Sequence, residues 1–170
     1  MTSPQFTMNT LIDSALRAAM YSVIREPRVD RASVTNILEI FSGESDANAA
    51  ITLTIAYVLR QEARGEINKD ASKELVKMLL EIREKGGEEK GELARKFLGY
   101  YKWLFEIIDK WLFSILEKNI PKKMRPKNDL RKIPEKKLLA ILNKIGLRID
   151  LEEIPKITFK DFLEKYMIPF

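Results

Sequence analysis

The 170-residue chain contains no cysteine and no histidine. Their absence excludes disulfide bonds, thiolate metal sites, cysteine nucleophiles, Ser–His–Asp triads and imidazole acid–base catalysis. Any catalysis would have to use carboxylates, lysine, tyrosine or a divalent metal held by oxygen ligands. A chain without cysteine is compatible with a reducing cytosol.

Long apolar runs are absent as well. No run approaches the roughly 20 apolar residues that a membrane span needs, because Glu106, Asp109 and Lys110 interrupt the most apolar stretch. The N-terminus lacks a basic region followed by an apolar core, so we expect no signal peptide. We therefore expect a cytoplasmic protein that does not contact membranes.

The segment 86–92, with three glycines and three glutamates, shows no sign of a catalytic or nucleotide-binding motif. Its glycines do not fit the spacing of a phosphate-binding loop, and no strand pattern precedes them. Its glutamates fall near a predicted helix start, where acidic residues favour the helix dipole. We predict a helix boundary here, with no cofactor, no metal site and no enzymatic activity.

Apolar residues make up 45% of the chain, which is enough for the core of one domain with a small appendix. The abundance of lysine and glutamate is typical of hyperthermophile proteins. The largest apolar area falls in one predicted helix, residues 89–117. Its apolar positions recur at spacings of three and four: Leu93, Phe97, Tyr101, Leu104, Phe105, Ile108, Leu112 and Ile115. We expect the other helices to pack on this face, with Lys96, Lys102, Glu106, Asp109 and Lys110 on the opposite side.

Four helices are predicted before the long one. They cover residues 10–25, residues 31–41 behind Asp30, a third helix from Ser45 or Asp46 to Arg64, and residues 69–85 behind Asn68. The first half of the third helix is apolar nearly all round, which favours a position between other helices. Short connections and the lack of a strand pattern in this part predict an all-α helical bundle of about five helices.

The remainder of the chain predicts a small C-terminal helical extension. We divide the sequence into a bundle (1–117), a basic arm or loop (118–133) and the extension (134–170). Within the extension we predict a helix over 134–144, a short strand over 147–151, and a helix over 159–167 behind a capping box of Thr158 and Asp161.

Residues 118–137, the basic segment, carry the charge asymmetry of the chain. Nine basic and two acidic residues give this segment a net charge of +7, whereas the whole chain has +5, so all other residues together have −2. Such a localised block is typical of nucleic-acid contact, in which lysine and arginine neutralise phosphates and release counterions. A solvated loop, or contact with an acidic partner protein, remains the alternative.

Arg60 and Arg64 form a second basic pair, since residues four apart share one helix face. Pairing with Glu62 or Glu66 is the alternative to a functional role. The predicted nucleic-acid-binding residues are Arg60, Arg64, Lys118, Lys122, Lys123, Arg125, Lys127, Arg131 and Lys132.

The order of helical motifs resembles the small subunit of CRISPR effector complexes. The motifs are S-V-T-N-I-L-E-I-F, L-T-I-A-Y-V-L-R-Q-E-A-R, A-S-K-E-L-V-K-M-L and F-L-G-Y-Y-K-W-L-F-E-I-I-D-K, within about residues 33–112. The resemblance is to the Csm-type subunit of type III systems, with the type I-A and Cmr-type subunits as relatives. It implies a non-catalytic subunit that self-associates, with several copies stacked along a guide–target duplex. Each copy would also associate with other effector subunits and contact the target strand through basic side chains. The resemblance also implies that Arg60 is a basic contact residue; Arg64 is added from helix geometry.

Three other functions are compatible with parts of the sequence. A protein–protein assembly adaptor would use the basic segment against an acidic surface. A carboxylate-dependent nuclease would need a metal ion, and a helix-turn-helix regulator would need a recognition helix, for which residues 134–144 are the candidate. We expect binding to single-stranded RNA or DNA without base-specific readout.

Overall fold

The structure is a computed structural model that describes residues 6–124 and 130–167. These residues form seven α-helices and no β-strand, so the predicted all-α bundle with a small C-terminal extension is confirmed. The helices are α1 (Met8–Ile24), α2 (Arg31–Ser42), α3 (Ala47–Ala63), α4 (Lys69–Lys85), α5 (Lys90–Asn119), α6 (Glu135–Lys144) and α7 (Phe159–Phe162).

Short polar side chains cap five of the helix starts, those of α1, α2, α3, α4 and α7. Asp30, Asp46 and Asn68 each accept a hydrogen bond, at 2.7–2.9 Å, from the backbone N–H three residues later. Such a bond satisfies a donor that has no partner within the helix. Of the two candidate caps for α3, the structure uses Asp46. The turn after α3 places Gly65 at a φ of 74°, which glycine adopts without steric cost.

Helix α5 is the element on which the bundle is assembled. Helices α1, α2, α3 and α4 all contact it, and α1 has the most extensive contact. The start of α3 approaches α5 closely, because a Cβ atom added at Gly91 would lie 3.3 Å from the Cβ of Ala47. The predicted central role of this helix is therefore confirmed.

One position on α5 differs from the prediction. Asp109, expected on the polar side, is only 7% exposed. It is buried because Arg131, 22 residues further along the chain, forms two hydrogen bonds with its carboxylate. Trp103, one of the aromatic residues of this helix, is 64% exposed.

The predicted position of α3 between other helices is only partly correct, because α3 packs against α2, α4 and α5 but is not buried on all sides. Its buried face includes Ile51 and Val58, but Leu53 and Leu59 are 49% and 47% exposed. The neighbours α2, α4 and α5 bury one side of α3, and its opposite side remains open.

A buried hydrogen bond joins α1 to α5. The Ser22 hydroxyl lies 2.7 Å from the carbonyl oxygen of Ala18 and 2.8 Å from the hydroxyl of Tyr101. Serine has a single hydroxyl proton, which it donates to Ala18, so Tyr101 is the donor to Ser22. Burial raises the pKa of Tyr101, since the phenolate would lose its hydration, and the phenol stays protonated at neutral pH.

The predicted strand over 147–151 is wrong. The backbone N–H groups of Gly146 and Leu147 donate to Asn143 and Leu142 and so close the C-terminus of α6. Gly146 adopts a φ of 87° there. Ile149 is buried in the core, and a turn follows directly, with no strand beside this segment in the described residues.

The C-terminal segment packs on α1 and α5. The capping box of Thr158 and Asp161 is formed, and it begins α7 as predicted. The backbone N–H of Phe159 donates to Asp13 at 2.8 Å. Phe162 is 1% exposed and packs edge-on against Trp111, with ring centroids 5.9 Å apart. The extension therefore shares the core of the bundle.

Candidate nucleic-acid interface

The basic segment begins on α5 and ends on α6. Because α5 continues to Asn119, Lys118 is helical, and the short turn Lys122–Met124 carries Lys122 and Lys123. A second turn, Leu130–Lys132, carries Arg131 and Lys132. Arg125 and Lys127, which the sequence predicts as contact residues, lie outside the described residues.

Arg28 holds the second half of this segment against the bundle. Its Nη1 donates hydrogen bonds to the carbonyl oxygens of Arg131 and Ile133, and its Nε donates to Val23 at 3.0 Å. Burial lowers the pKa of Arg28, with Glu26 and Glu135 acting in the opposite direction. Arginine nevertheless remains a cation in proteins. Arg28 therefore fixes the backbone that carries Arg131 and Lys132.

Arg131 is engaged in a contact within the chain. Its Nε and Nη2 lie 3.1 and 2.7 Å from the two carboxylate oxygens of Asp109, which is a bidentate pair. Its guanidinium carbon lies 5.0 Å from the centre of the Phe113 ring, in cation–π contact. Because Asp109 offsets its charge, Arg131 supports the segment more than it adds to the open positive surface.

The start of α6 is tied to the connection between α1 and α2. The backbone N–H of Glu26 donates to the carboxylate of Glu135 at 3.0 Å, and the N–H of Glu135 donates to that of Glu26 at 2.6 Å. Arg25 also pairs with Glu135, at 3.3 Å. Glu135, one of the two acidic residues in the basic segment, is therefore paired with Arg25, a cation outside the segment.

Six lysines of the segment form its open positive surface. All six are exposed, and none makes an ion pair with any residue in 6–124 or 130–167. They are Lys118, Lys122, Lys123, Lys132, Lys136 and Lys137. Ammonium groups with no carboxylate partner are available to bind an anion, and phosphate is the anion that such clusters bind in nucleic acids.

A groove of about 310 Å³ lies between the end of α5 and α6. Ile120, Pro121 and Met124 line one side, and Lys137 and Lys144 of α6 lie on the other. Among the described residues, its lining has no aromatic side chain on which a base could stack, and stacking is the usual way to hold single-stranded bases. Ile141 and Ile145 also line the groove, so most of its lining is apolar and the two lysines supply its positive charge.

Arg60 and Arg64 are exposed at the end of α3. Neither forms an ion pair with Glu62, Glu66 or any other residue in the part of the chain that the structure describes. The α3–α4 turn leads to Asn68, whose side-chain amide donates to the carbonyl oxygens of Tyr21, Arg25 and Pro27. Arg28, which holds the basic segment, belongs to the same α1–α2 connection. The α1–α2 connection therefore contacts the basic segment through Arg28 and the start of α4 through Asn68.

Two structural observations bear on the alternative functions, the metal-dependent nuclease and the helix-turn-helix regulator. No three aspartate or glutamate side chains come together as a possible metal site among the described residues. The connection between α5 and α6 spans 120–134, which is much longer than the roughly three- or four-residue turn of a helix-turn-helix motif. This length does not fit α6 as a recognition helix.

Comparison of the chain with protein-family models, curated proteins and solved structures finds no match. Within the described ranges, no helix has the length and apolar character needed to cross a membrane. Sequence reasoning missed Arg28 and the role of Asp109. Each acts on residues distant in the sequence, so no local pattern marks either one.

Proposed function

We propose that this protein is a non-catalytic helical subunit that binds the nucleic-acid backbone through the lysines of the basic segment. The observation that carries the proposal is the set of six exposed lysines without an ion-pair partner in the described residues. Binding would be electrostatic and without base-specific readout, because lysine recognises phosphate as a point charge. It requires no cofactor and suits a protein of the cytoplasm.

Arg60 and Arg64 would extend the same surface. Both residues are exposed and form no ion pair with a described residue. Arg125 and Lys127 stay predicted contact residues on the strength of the sequence.

Salt dependence of binding tests this proposal. We expect labelled mixed-sequence RNA and single-stranded DNA to bind with a logarithmic affinity that falls linearly with the logarithm of salt concentration. A variant with Lys122, Lys123 and Lys132 changed to alanine should bind more weakly, and its salt slope should be smaller by about 2. Fluorescence anisotropy at about 50, 100 and 200 mM salt measures both quantities, because multiple phosphate contacts lower the affinity by orders of magnitude over this range.

The matched control removes the same charge from another surface. Lys73, Lys77 and Lys85 are exposed on α4 and make no ion pair with a described residue. Their alanine variant should retain the salt slope of the parent. Absence of binding at low salt, or an equal loss in both variants, would contradict the proposal.

We further propose that the complex concerned is an RNA-guided CRISPR effector. Support comes from the motif resemblance over about residues 33–112 and from an all-α bundle with an exposed basic surface. Sequencing of RNA that co-purifies with the tagged protein from its native cells tests this step. Enrichment of guide RNAs that contain CRISPR repeat sequence is expected, whereas a sample without such RNA would reject membership.

An assembly adaptor without nucleic-acid binding is the second candidate. The observation that favours it is the exposed apolar surface of α5, where Trp103 and Ile107 are 64% and 50% exposed. A protein that binds no RNA or DNA at any salt concentration, yet associates with other chains through this surface, would fit the adaptor.

A further inference from the structure

The outer face of α5 carries a stripe that the bundle leaves uncovered. Trp103 projects from it, and the neighbouring Ile107 is exposed as well. With Glu106 and Lys110 these two residues border a shallow depression of about 330 Å³. Tyr100 is partly buried and packs against Trp103, with ring centroids 6.2 Å apart. Exposed tryptophan is costly in water and is enriched where proteins contact one another.

Gly99 lies on the same stripe, one turn before Trp103. Glycine inside a helix reduces helix stability relative to alanine. A Cβ atom added there would meet nothing within 4 Å in the described part of the chain. The packing of the bundle therefore gives no reason for a glycine here. What the missing side chain does provide is a notch in the helix surface, next to a protruding indole.

The residues of the stripe follow alternating steps of four and three. They are Glu92, Lys96, Gly99, Trp103, Glu106 and Lys110. This spacing is that of the contact seam of a coiled coil, and it keeps all six on one side of the helix. None of the six is buried.

The stripe is complementary to the same stripe of a second copy when the two helices run antiparallel. In an antiparallel pair of α5 helices related by a two-fold axis at residue 101, Trp103 faces Gly99 of the second copy. In the same register Lys96 faces Glu106, and Glu92 faces Lys110. Each pair occurs twice, as an isologous interface requires. The Trp103 indole thus lies against the gap left by Gly99, and every charged residue of the stripe faces a residue of opposite charge.

We propose that this stripe is the contact surface for a second copy of the chain, in an antiparallel two-fold pairing of α5 centred on residue 101. The proposal does not depend on nucleic-acid binding, because none of the stripe residues belongs to the basic segment. The ion pair between Glu92 and Arg95, at 2.9 Å, is no obstacle. Both of its side chains are more than half exposed, so it contributes little and is easily exchanged.

Sedimentation equilibrium of the full chain tests the pairing first. We expect a reversible monomer–dimer equilibrium, and Trp103→Ala should raise its dissociation constant by about tenfold or more, as loss of a central aromatic anchor does. Lys96→Glu and Glu106→Lys should each weaken the dimer, because two like-charge contacts replace two attractive ones. The double variant should restore it, which a general loss of folding could not do.

Gly99→Gln separates the interface from the stability of the monomer. Glutamine favours helix more than glycine does, so the melting temperature of the dilute monomer should rise. The same side chain fills the notch that Trp103 requires, so the dimer dissociation constant should rise as well. A glycine with only a structural role would not give this combination.

Cross-linking tests the register, and the natural lack of cysteine makes introduced thiols unambiguous. An equimolar mixture of Lys96→Cys and Glu106→Cys chains should form a disulfide-linked heterodimer under mild oxidation. Either chain alone should not, because equivalent positions lie about 15 Å apart along the axis at 1.5 Å per residue. Lys77→Cys mixed with Glu106→Cys is the control. A monomer at all concentrations, or a dimer insensitive to Trp103→Ala and without the predicted cross-link, would overturn the proposal.

Discussion

Replacing Phe97 by alanine is expected to lower the free energy of unfolding by about 3–5 kcal/mol. Phe97 is fully buried on α5, the helix that α1, α2, α3 and α4 all contact. Removing its ring loses the transfer energy of a large apolar side chain and leaves a cavity that rigid neighbouring helices cannot close. Equilibrium unfolding in urea, followed by far-UV circular dichroism, measures the difference.

Trp103→Ala is the matched control on the same helix. Trp103 is 64% exposed, so its loss should change the stability of the monomer by no more than about 0.5 kcal/mol. Both variants are compared at low protein concentration, where self-association does not contribute. Equal effects of the two substitutions would show that the core does not lie on the face of α5 described above.

Replacing Arg28 by methionine is expected to lower the free energy of unfolding by about 3 kcal/mol. The substitution leaves the carbonyl oxygens of Val23, Arg131 and Ile133 without this donor. Nη2 of Arg28 is itself buried without a hydrogen-bond partner among the described residues, so the native contact is already incomplete. The expected loss is therefore smaller than three full hydrogen bonds to a charged group would give.

Arg28→Met should destabilise the segment around Arg131 and Ile133 more than it destabilises the fold as a whole. Release of Arg131 and Ile133 should increase amide hydrogen exchange in the turn Leu130–Lys132 and at the start of α6. Mass spectrometry of the corresponding peptides detects it. Arg31→Met removes an equal charge three residues away, from an exposed position, and should leave both stability and exchange close to those of the parent. Unchanged exchange in Arg28→Met would refute the docking role.

Local signals in the sequence predict most of the fold. Asp30, Asn68 and Thr158 precede apolar positions at helical spacing, and each caps a helix within its own next turn. These interactions span three residues, so a sequence pattern contains them completely. The predicted bounds of α4 agree with the structure for the same reason.

The errors of the sequence-based prediction arise where contacts between residues distant in the sequence determine burial. Asp109 has the charge of a surface residue, and only Arg131, far along the chain, makes its burial favourable. The exposure of Leu53 depends on how many helices surround α3, which its own sequence does not encode. In the candidate interface the sequence predicts the lysines, since composition alone marks them. It cannot predict that Arg28 holds the backbone beneath them.

The docking of the C-terminal segment affects the order in which the chain folds. The hydrogen bond between Asp13 and Phe159 joins residues 146 positions apart, whereas the contacts of each helix with its cap are local. Closing so long a loop costs entropy before any contact compensates for it, and such contacts slow folding. We therefore expect the docking of Phe159 on Asp13 to be a late step of folding. During synthesis, α1 and α5 leave the ribosome with the surfaces that α7 covers still open to solvent.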